Sequence, residues 1–291
     1  HNAVVNDIEA RAAQLALLPG RGLVLANGEF GERLIDHATR MRLPFESLVL
    51  PWGEAFDPAA IRRRLDETRD CSWVWAVHAE TSTGMLNDTA MLGQLCREHG
   101  LRLSLDCISA IGATPVDLAG VHLASGVSGK GLGGFTGLGL VFHNDELPPP
   151  RPDLPRYLDL RSYAAHDGVP YSTSSNLVNA LYAAVTRFDP ATRFRQLGEV
   201  SAWLRAELDR IGLPPLVSGP QAFPAVLTIP LPAGRSSRQV GERLLDEGFL
   251  LSFESGYLLA HNWIQVCLMR EASPELLEPL VAALAQPDRS G

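Results

Sequence analysis

Short apolar runs alternate with amphipathic stretches along the first half of the chain, and this alternation limits the fold more than any other feature. Runs of four to eight apolar residues between turn signals predict strands, and the stretches between them predict helices. A repeated strand–helix order predicts a mostly parallel sheet flanked by helices, an α/β fold. We predict strands at 22–26, 47–50, 71–78, 101–106, 122–125 and 139–142, and helices at 32–42, 57–70 and 86–99.

The second half of the chain has a different character. The proline-rich stretch 148–155 predicts a loop or extended connection, because proline interrupts helices and sheet ladders. We expect a large domain over 1–175, connecting helices over 176–211 and a smaller C-terminal α+β domain over 212–291. The connecting segment is predicted to hold helices at 174–187 and 190–211. The C-terminal domain is predicted to hold helices at 237–247 and 274–285 and strands at 226–229, 249–253 and 263–268.

Composition excludes several classes of protein. The 291 residues carry a formal net charge of −8, which argues against non-specific nucleic-acid binding. No apolar run approaches the ~20 residues of a membrane span, and no signal peptide is recognisable at the first residue. Four scattered cysteines form no zinc-ligand pattern and favour a reducing, cytoplasmic setting over a disulfide scaffold.

Polar residues gather where the predicted strands end. They occupy 27–31, 78–84 and 106–109, and the small-residue loop around Lys130 makes a fourth such segment. In open parallel sheets, ligands bind at the carboxyl ends of the strands. The four segments therefore predict one shared site.

Lys130 is the only lysine among the 25 basic residues; the other 24 are arginine. Codon bias explains the scarcity of lysine, but arginine cannot serve where a neutral amine is the nucleophile. A phosphate-binding P-loop is excluded, because Ala124 and Gly131 stand where that motif needs glycine and serine or threonine. The glycine run 131–139 leads into a strand rather than a helix, which argues against a dinucleotide loop.

Asp106 ends a predicted strand, and Lys130 follows 24 residues later in a small-residue loop. Pyridoxal phosphate chemistry needs this pair of groups. A lysine amine forms a Schiff base with the cofactor aldehyde, and a carboxylate pairs with the pyridine nitrogen and keeps it protonated.

With these residues, the sequence resembles the class V aminotransferases of fold type I, in particular the alanine–glyoxylate, serine–pyruvate and 2-aminoethylphosphonate–pyruvate transaminase group. The motifs that carry the resemblance follow the family's order over most of 20–142. They are 27–33, Trp52-Gly53, 78–84, 106–112, 128–130 and 137–139, with a looser match at 171–176 and 255–258.

The resemblance implies a role for each matched residue. Pyridoxal 5′-phosphate is the implied cofactor, with no metal. Lys130 and Asp106 are implied as catalytic, and two protomers of a homodimer share the active sites. The other implied cofactor contacts are Phe30 on one ring face, Ile108 on the other, Thr81 near the phenolic oxygen, Ser128 at the phosphate, and Tyr171 with Ser172 or Thr173 at the partner's phosphate; Glu29 and Gln265 are implied to bind substrate.

Two features depart from the family pattern. The family's phosphate-binding turn, Ser-Gly-x-Thr or Ser-Gly-x-His, is expected at or just before His1. Gln265 stands where the family carries an arginine that clamps a substrate carboxylate, and Arg270 lies five residues further on. A neutral amide cannot replace that ion pair, so the substrate lacks a carboxylate there or another arginine binds it.

The sequence therefore predicts a pyridoxal-phosphate-dependent aminotransferase that moves an amino group from a small amino donor to an oxo-acid in two half-reactions. A lyase or decarboxylase of the same fold is one alternative, and a non-catalytic member of the fold is another. A desulfurase needs a cysteine on a mobile loop, whereas Cys267 lies in a predicted strand and Cys107 follows Asp106 directly. The sequence leaves the identity of the substrate open.

Overall fold

The structure is a computed structural model that describes residues 10–149, 152 and 154–286. The chain divides into two compact units. The first runs up to residue 80 and continues from 87 to 188, and the second combines 81–86 with the chain from 189 onward.

Strands and helices alternate through the first unit, as the sequence predicts. The described part of its first helix, α1, covers residues 10–15. The remaining elements of this unit are β1 (Arg21–Ala26), α2 (Glu29–Arg40), β2 (Phe45–Val49), α3 (Pro58–Glu67), β3 (Cys71–Val77), β4 (Ala79–Glu80), α4 (Thr89–Glu98), β6 (Arg102–Asp106), β7 (Leu123–Val127), β8 (Gly139–His143), a 3-10 turn (Arg156–Leu158), α5 (Leu160–Ala165) and α6 (Ser175–Thr186). Strand β5 (Met85–Leu86) lies between β4 and α4 in the chain and belongs to the second unit.

Six of these strands form one sheet in the order β2-β1-β3-β6-β7-β8. Every neighbouring pair is parallel except β7 with β8, so the predicted mostly parallel sheet is confirmed. The chain places β2 on one side of β1 and β3 on the other. Such a reversal opens a crevice at the carboxyl ends of the strands, where ligands bind in sheets of this kind.

The core of the first unit is built on the middle of this sheet. Trp73 and Trp75 of β3 are fully buried, as are Leu23 and Val24 of β1. A contiguous cluster joins Trp73 and Trp75 to Leu34 of α2 and to Leu15 of α1. These runs are apolar on both faces because helices cover a parallel sheet on both sides. The rigid sheet holds the ends of its strands, and hence the loops that follow them, in place.

The second unit has its own small sheet and helices. Its strands β9 (Val226–Pro230) and β10 (Trp263–Cys267) pair antiparallel, with Gln265 opposite Thr228. The predicted strand at 249–253 is wrong: Ser252 makes one isolated bridge to Gln265, and no ladder extends from it. The helices of this unit are α7 (Pro190–Arg210), α8 (Ser237–Asp246), α9 (Gly256–His261) and α10 (Pro274–Leu284), with a 3-10 turn at Gly219–Gln221.

Most helices begin at a residue whose side-chain oxygen accepts a backbone N–H from the first turn. Asp57 does this for α3, Asp88 for α4 and Ser174 for α6. Such caps satisfy N–H groups that have no partner within the helix. Helix α2 differs, because its first residue follows Gly28, which has no side chain to offer.

The proline-rich connection predicted at 148–155 lies partly outside the described residues, at 150, 151 and 153. Its described residues belong to no helix or strand. None of the described helices combines the length and apolarity that crossing a membrane demands.

Gly22 and Gly198 offer a matched test of this packing. A Cβ on Gly22 would lie 2.2 Å from the Trp73 ring, whereas nothing lies within 4 Å of one on Gly198, an exposed position of α7. We expect Gly22→Ala to lower the free energy of unfolding by about 1–3 kcal/mol, since overpacking strains the core. Gly198→Ala should raise it by about 0.5–1 kcal/mol. Denaturant unfolding measures both, and equal effects would contradict the packing described.

Candidate functional site

Four loops of the first unit begin at the same edge of the sheet. Strands β1, β3, β6 and β7 run parallel, so their carboxyl ends lie on one side. Asn27, His78, Asp106 and Lys130 lie at or just beyond these ends. The polar segments of the first unit therefore begin at one edge of the sheet, as the sequence predicts.

Asp106 is the last residue of β6, and only 7% of it is exposed. Its Oδ1 accepts the backbone N–H of Ile108 at 3.0 Å. Its Oδ2 lies 3.6 Å from Nη2 of Arg11, a residue of α1. Ile108 is itself buried beside the carboxylate. The carboxylate is thus held at both oxygens at the end of its strand.

Lys130 lies three residues beyond β7 and is half-buried. Its Nζ donates to Oγ of Ser109 at 2.9 Å and lies 5.8 Å from the centre of the Phe30 ring. Ser109 is three residues after Asp106 on the same loop. The first turn of α2 and the loop that follows β6 therefore converge on the lysine amine.

Two glycines allow the loops that follow β6 and β7 to touch backbone to backbone. Gly112 has a φ of +80°, and a Cβ there would lie 2.4 Å from the carbonyl carbon of Gly131. A Cβ on Gly131 would lie 2.5 Å from the oxygen of Ile111. No side chain fits at either position. The backbones on which Asp106 and Lys130 are mounted are therefore pressed directly together.

Ser128 is fully buried two residues before Lys130. Its Oγ donates to the carbonyl of Phe135 at 2.6 Å and accepts the N–H of Leu138 at 3.2 Å. The hydroxyl thus ties together the two ends of the loop that carries Lys130. A contact between Ser128 and a cofactor phosphate stays a prediction.

Phe30 lies in the first turn of α2 and is half-buried against the core. The buried carboxylate of Glu80 accepts the N–H of Phe30 at 3.3 Å and that of Gly31 at 2.8 Å. An anion at a helix N-terminus is stabilised by the free N–H groups and by the helix dipole. Glu80 therefore replaces the missing side-chain cap of α2 and fixes the turn that carries Phe30.

Glu29 faces a different partner in the same turn. Its Oε1 accepts from Nε of Arg33 at 2.8 Å, and the Arg33 guanidinium lies 4.9 Å from the centre of the Phe30 ring. Contact of Glu29 with a substrate stays a prediction.

Thr81 and Gln265 belong to the second unit, where they contact each other. Nε2 of Gln265 lies 2.6 Å from the carbonyl of Thr81, 3.0 Å from that of Ser82 and 2.8 Å from Oγ1 of Thr228. Its Oε1 accepts from the hydroxyl of Tyr257 at 3.2 Å. The Gln265 amide is thus engaged within its own unit, and its contact with a substrate stays a prediction.

Tyr171, Ser172 and Thr173 precede α6. The Tyr171 hydroxyl donates to the carbonyl of Arg156 at 3.1 Å, and its ring lies 4.4 Å from that of Tyr157. Ser172 and Thr173 are exposed. A role for these three residues at a partner's phosphate stays a prediction.

Two buried titratable groups lie beside Asp106. Burial lowers the pKa of His78 to about 4, and burial together with the Asp106 charge raises the pKa of Cys107 to about 12. Both side chains are therefore neutral at neutral pH, and Cys107 is no thiolate nucleophile of the kind a desulfurase needs. Among the described residues, no three His, Cys, Asp or Glu side chains converge as a metal site requires.

Three residues of this site escaped the sequence predictions. Ser109 lay within a segment identified as polar, but nothing in the pattern pointed its hydroxyl at Lys130. Glu80 falls within the polar segment 78–84, but nothing in the sequence assigns a role to it. Arg11 is the one charged residue of the apolar stretch 10–18, and that charge is the available signal.

Known proteins resemble this chain over most of its length. The family model "Aminotransferase class-V" matches residues 53–153. A 2-aminoethylphosphonate–pyruvate transaminase of Pseudomonas fluorescens is 28% identical over 96% of this chain and 79% of its own length. One from Burkholderia ambifaria is 30% identical over 82% of this chain and 69% of its own. The solved structure of an alanine–glyoxylate aminotransferase from Nostoc sp. has a TM-score of 0.85 at 30% identity, over 97% of this chain and 78% of the other.

The chain belongs to the class-V aminotransferase family. The predicted fold type I architecture and the predicted enzyme class, a transaminase, are confirmed. Family membership implies pyridoxal phosphate as the cofactor of this amino-group transfer.

The cap that Glu80 provides can be tested by removing its charge. We expect Glu80→Gln to lower the free energy of unfolding by about 1–2 kcal/mol, because a neutral amide accepts the N–H groups of Phe30 and Gly31 less strongly. Glu29→Gln is the control: it breaks an exposed pair with Arg33 and should cost at most about 0.5 kcal/mol. Thermal unfolding of the two variants side by side decides, and a Glu80 variant as stable as the control would contradict the cap.

Proposed function

We propose that Lys130 and Asp106 are the catalytic pair of this aminotransferase. The observation that carries the proposal is the position of the Lys130 amine, bonded to Ser109 and facing the Phe30 ring. Ser109 belongs to the loop that Asp106 begins, so the amine and the carboxylate are mounted on loops that share a direct contact.

These residues suit pyridoxal phosphate. Asp106 offers a buried carboxylate for a protonated ring nitrogen, and Phe30 and Ile108 offer apolar surfaces for the two faces of a planar ring. We propose Ser128 and Thr81 as further contacts of the cofactor, together with Tyr171 and Ser172 or Thr173 of a second protomer. When bound, the cofactor supplies an electron sink for the carbanion that forms at the substrate carbon.

Lys130 has two tasks in this proposal. Its Nζ would hold the cofactor covalently, and as a free amine the same Nζ would remove the proton from the donor's amine-bearing carbon. Ser109 keeps the amine in the site by accepting a hydrogen bond from it. Arginine cannot do either task, because its guanidinium stays protonated.

We propose a small amino donor and a small 2-oxo acid as the substrates. The relatives named above act on 2-aminoethylphosphonate with pyruvate, and on alanine with glyoxylate. Gln265 carries no charge, and its amide is already bound to the 81–82 backbone. An anionic group of the substrate is therefore held by another residue in this proposal.

We also propose a homodimer in which α6 lies at the interface. Its sequence is rich in apolar residues, yet none of its residues is buried within the single chain. Tyr182 is 71% exposed, Val178 and Val185 are each about half exposed, and Phe135 is 71% exposed. Val178, Tyr182 and Val185 are spaced i, i+4 and i+7 along α6, so they share one exposed apolar face, and such a face marks an association site. A second copy of the chain would cover it and bring the 171–173 segment close to a neighbouring site.

A cytoplasmic setting completes the proposal. All four cysteines fall within the described residues, and each is a free thiol. Free thiols persist in reducing compartments.

The assignment of Lys130 can be tested without interference from other lysines, since the chain has none. We expect the wild-type protein mixed with pyridoxal phosphate to gain a visible absorbance band. Borohydride reduction should then attach one cofactor, which intact mass counts and peptide mapping locates at Lys130. The holoenzyme before reduction should convert pyruvate to alanine with 2-aminoethylphosphonate, or glyoxylate to glycine with alanine. Lys130→Ala and the charge-preserving Lys130→Arg should lose the band and the activity. Attachment elsewhere, or a band in either variant, would overturn the assignment.

The proposed interface predicts a change of oligomeric state. Tyr182→Asp places a charge in the apolar surface of α6 and should shift the protein from dimer to monomer, because a buried unpaired charge is costly. Leu250→Asp is the matched control, a highly exposed leucine of the second unit outside that surface. Light scattering after size exclusion reports the mass. A dimer that survives the Tyr182 change but not the Leu250 change would place the interface elsewhere.

A further inference from the structure

Arg11 is an arginine without any exposed surface in the first unit. Its Nη1 donates to the carbonyl of Leu105 at 2.8 Å, and its Nη2 lies 3.6 Å from Oδ2 of Asp106. The guanidinium carbon lies 5.4 Å from the centre of the Trp75 ring. A fixed positive charge is therefore buried directly against the carboxylate that the proposed function assigns to the cofactor's ring nitrogen.

Burying a charge without a partner costs several kcal/mol, and burying a pair leaves each member dependent on the other. Arginine keeps its proton under all physiological conditions. Its Nε and Nη2 have no hydrogen-bond partner among the described residues, so the ion pair with Asp106 is the main compensation seen for this charge. The same pair compensates Asp106, whose other oxygen accepts the N–H of Ile108.

We propose that Arg11 is a positioning residue that acts through Asp106: it fixes the orientation of the carboxylate, and it offsets part of the negative charge that Asp106 presents to the cofactor. The effect on the charge presented to the cofactor rests on the proposed function. The pairing that orients the Asp106 carboxylate is a property of the protein without cofactor, and it can be tested separately.

The other titratable groups beside Asp106 do not compete for this role. His78 and Cys107 pack against each other, with Nδ1 and Sγ 4.0 Å apart, and both stay neutral around neutral pH for the reasons given above. The Glu80 carboxylate is bound to the N-terminus of α2. Lys130 donates to Ser109. Arg11 is the arginine that the structure pairs with Asp106.

The first experiment measures the coupling between the two residues in the cofactor-free protein. Thermal unfolding is compared for wild type, Arg11→Met, Asp106→Asn and the double variant. We expect Arg11→Met to lower the Tm strongly in the wild-type background and much less when Asp106 is already asparagine, because the uncompensated charge is then gone. Additive losses would overturn the pairing.

The second experiment reads the electrostatic effect on the bound cofactor. The pH at which its visible absorbance changes from the protonated to the unprotonated form is measured for wild type and variants. Removing a positive charge makes the site more negative and favours the protonated form. The midpoint should therefore rise by about one pH unit in Arg11→Met, and return most of the way in Arg11→Lys. A purely structural residue would not move this midpoint.

Arg205→Met is the control for loss of a buried arginine. Arg205 lies in the second unit and donates to the carbonyls of Val217 and Phe223. Its removal should lower the Tm without moving the midpoint. An unchanged or lowered midpoint in Arg11→Met would overturn the second effect. If the wild type gained no visible band, the proposed function would fail, while the coupling in the cofactor-free protein would still decide the pairing.

Discussion

The parallel pairing of β1, β3, β6 and β7 is the constraint on which the site depends. Parallel strands end on the same edge, so the sheet alone brings residues that are far apart in sequence to one place. The buried tryptophans of β3 hold the centre of this sheet. Once the sheet forms, Asp106 stands at the end of its strand, and the loop that follows β7 carries Lys130 toward it.

Much of this arrangement follows from local sequence patterns. Alternating apolar runs locate the strands, and the small-residue loop with a lone lysine points to the amine that matters. Asp106 was identifiable because it is a carboxylate at the end of an apolar strand. These features are local in sequence, or depend only on the rule that parallel strands share an edge.

The remaining features depend on contacts that no local pattern encodes. Glu80 caps a helix that begins 51 residues earlier in the chain, and Arg11 meets Asp106 across 95 residues. The amide of Gln265 binds the backbone of a segment more than 180 residues away. The stretch 249–253 has strand-forming composition, but among its residues the structure shows a strand bridge at Ser252 alone, so composition is not enough to predict a strand there. Each of these outcomes is decided by tertiary packing, which overrides local preference.

The contact between Gly112 and Gly131 has a consequence for how such a site tolerates change. Two backbones that touch without side chains between them have no soft layer to absorb a displacement. A shift of the loop after β6 is passed on to the loop after β7, and the acid and the amine travel as one piece. Substitutions elsewhere in the unit can shift Asp106 and Lys130 together, but they leave the distance between the two loops almost unaltered. That distance is set by the direct backbone contact at Gly112 and Gly131, where neither residue has a Cβ.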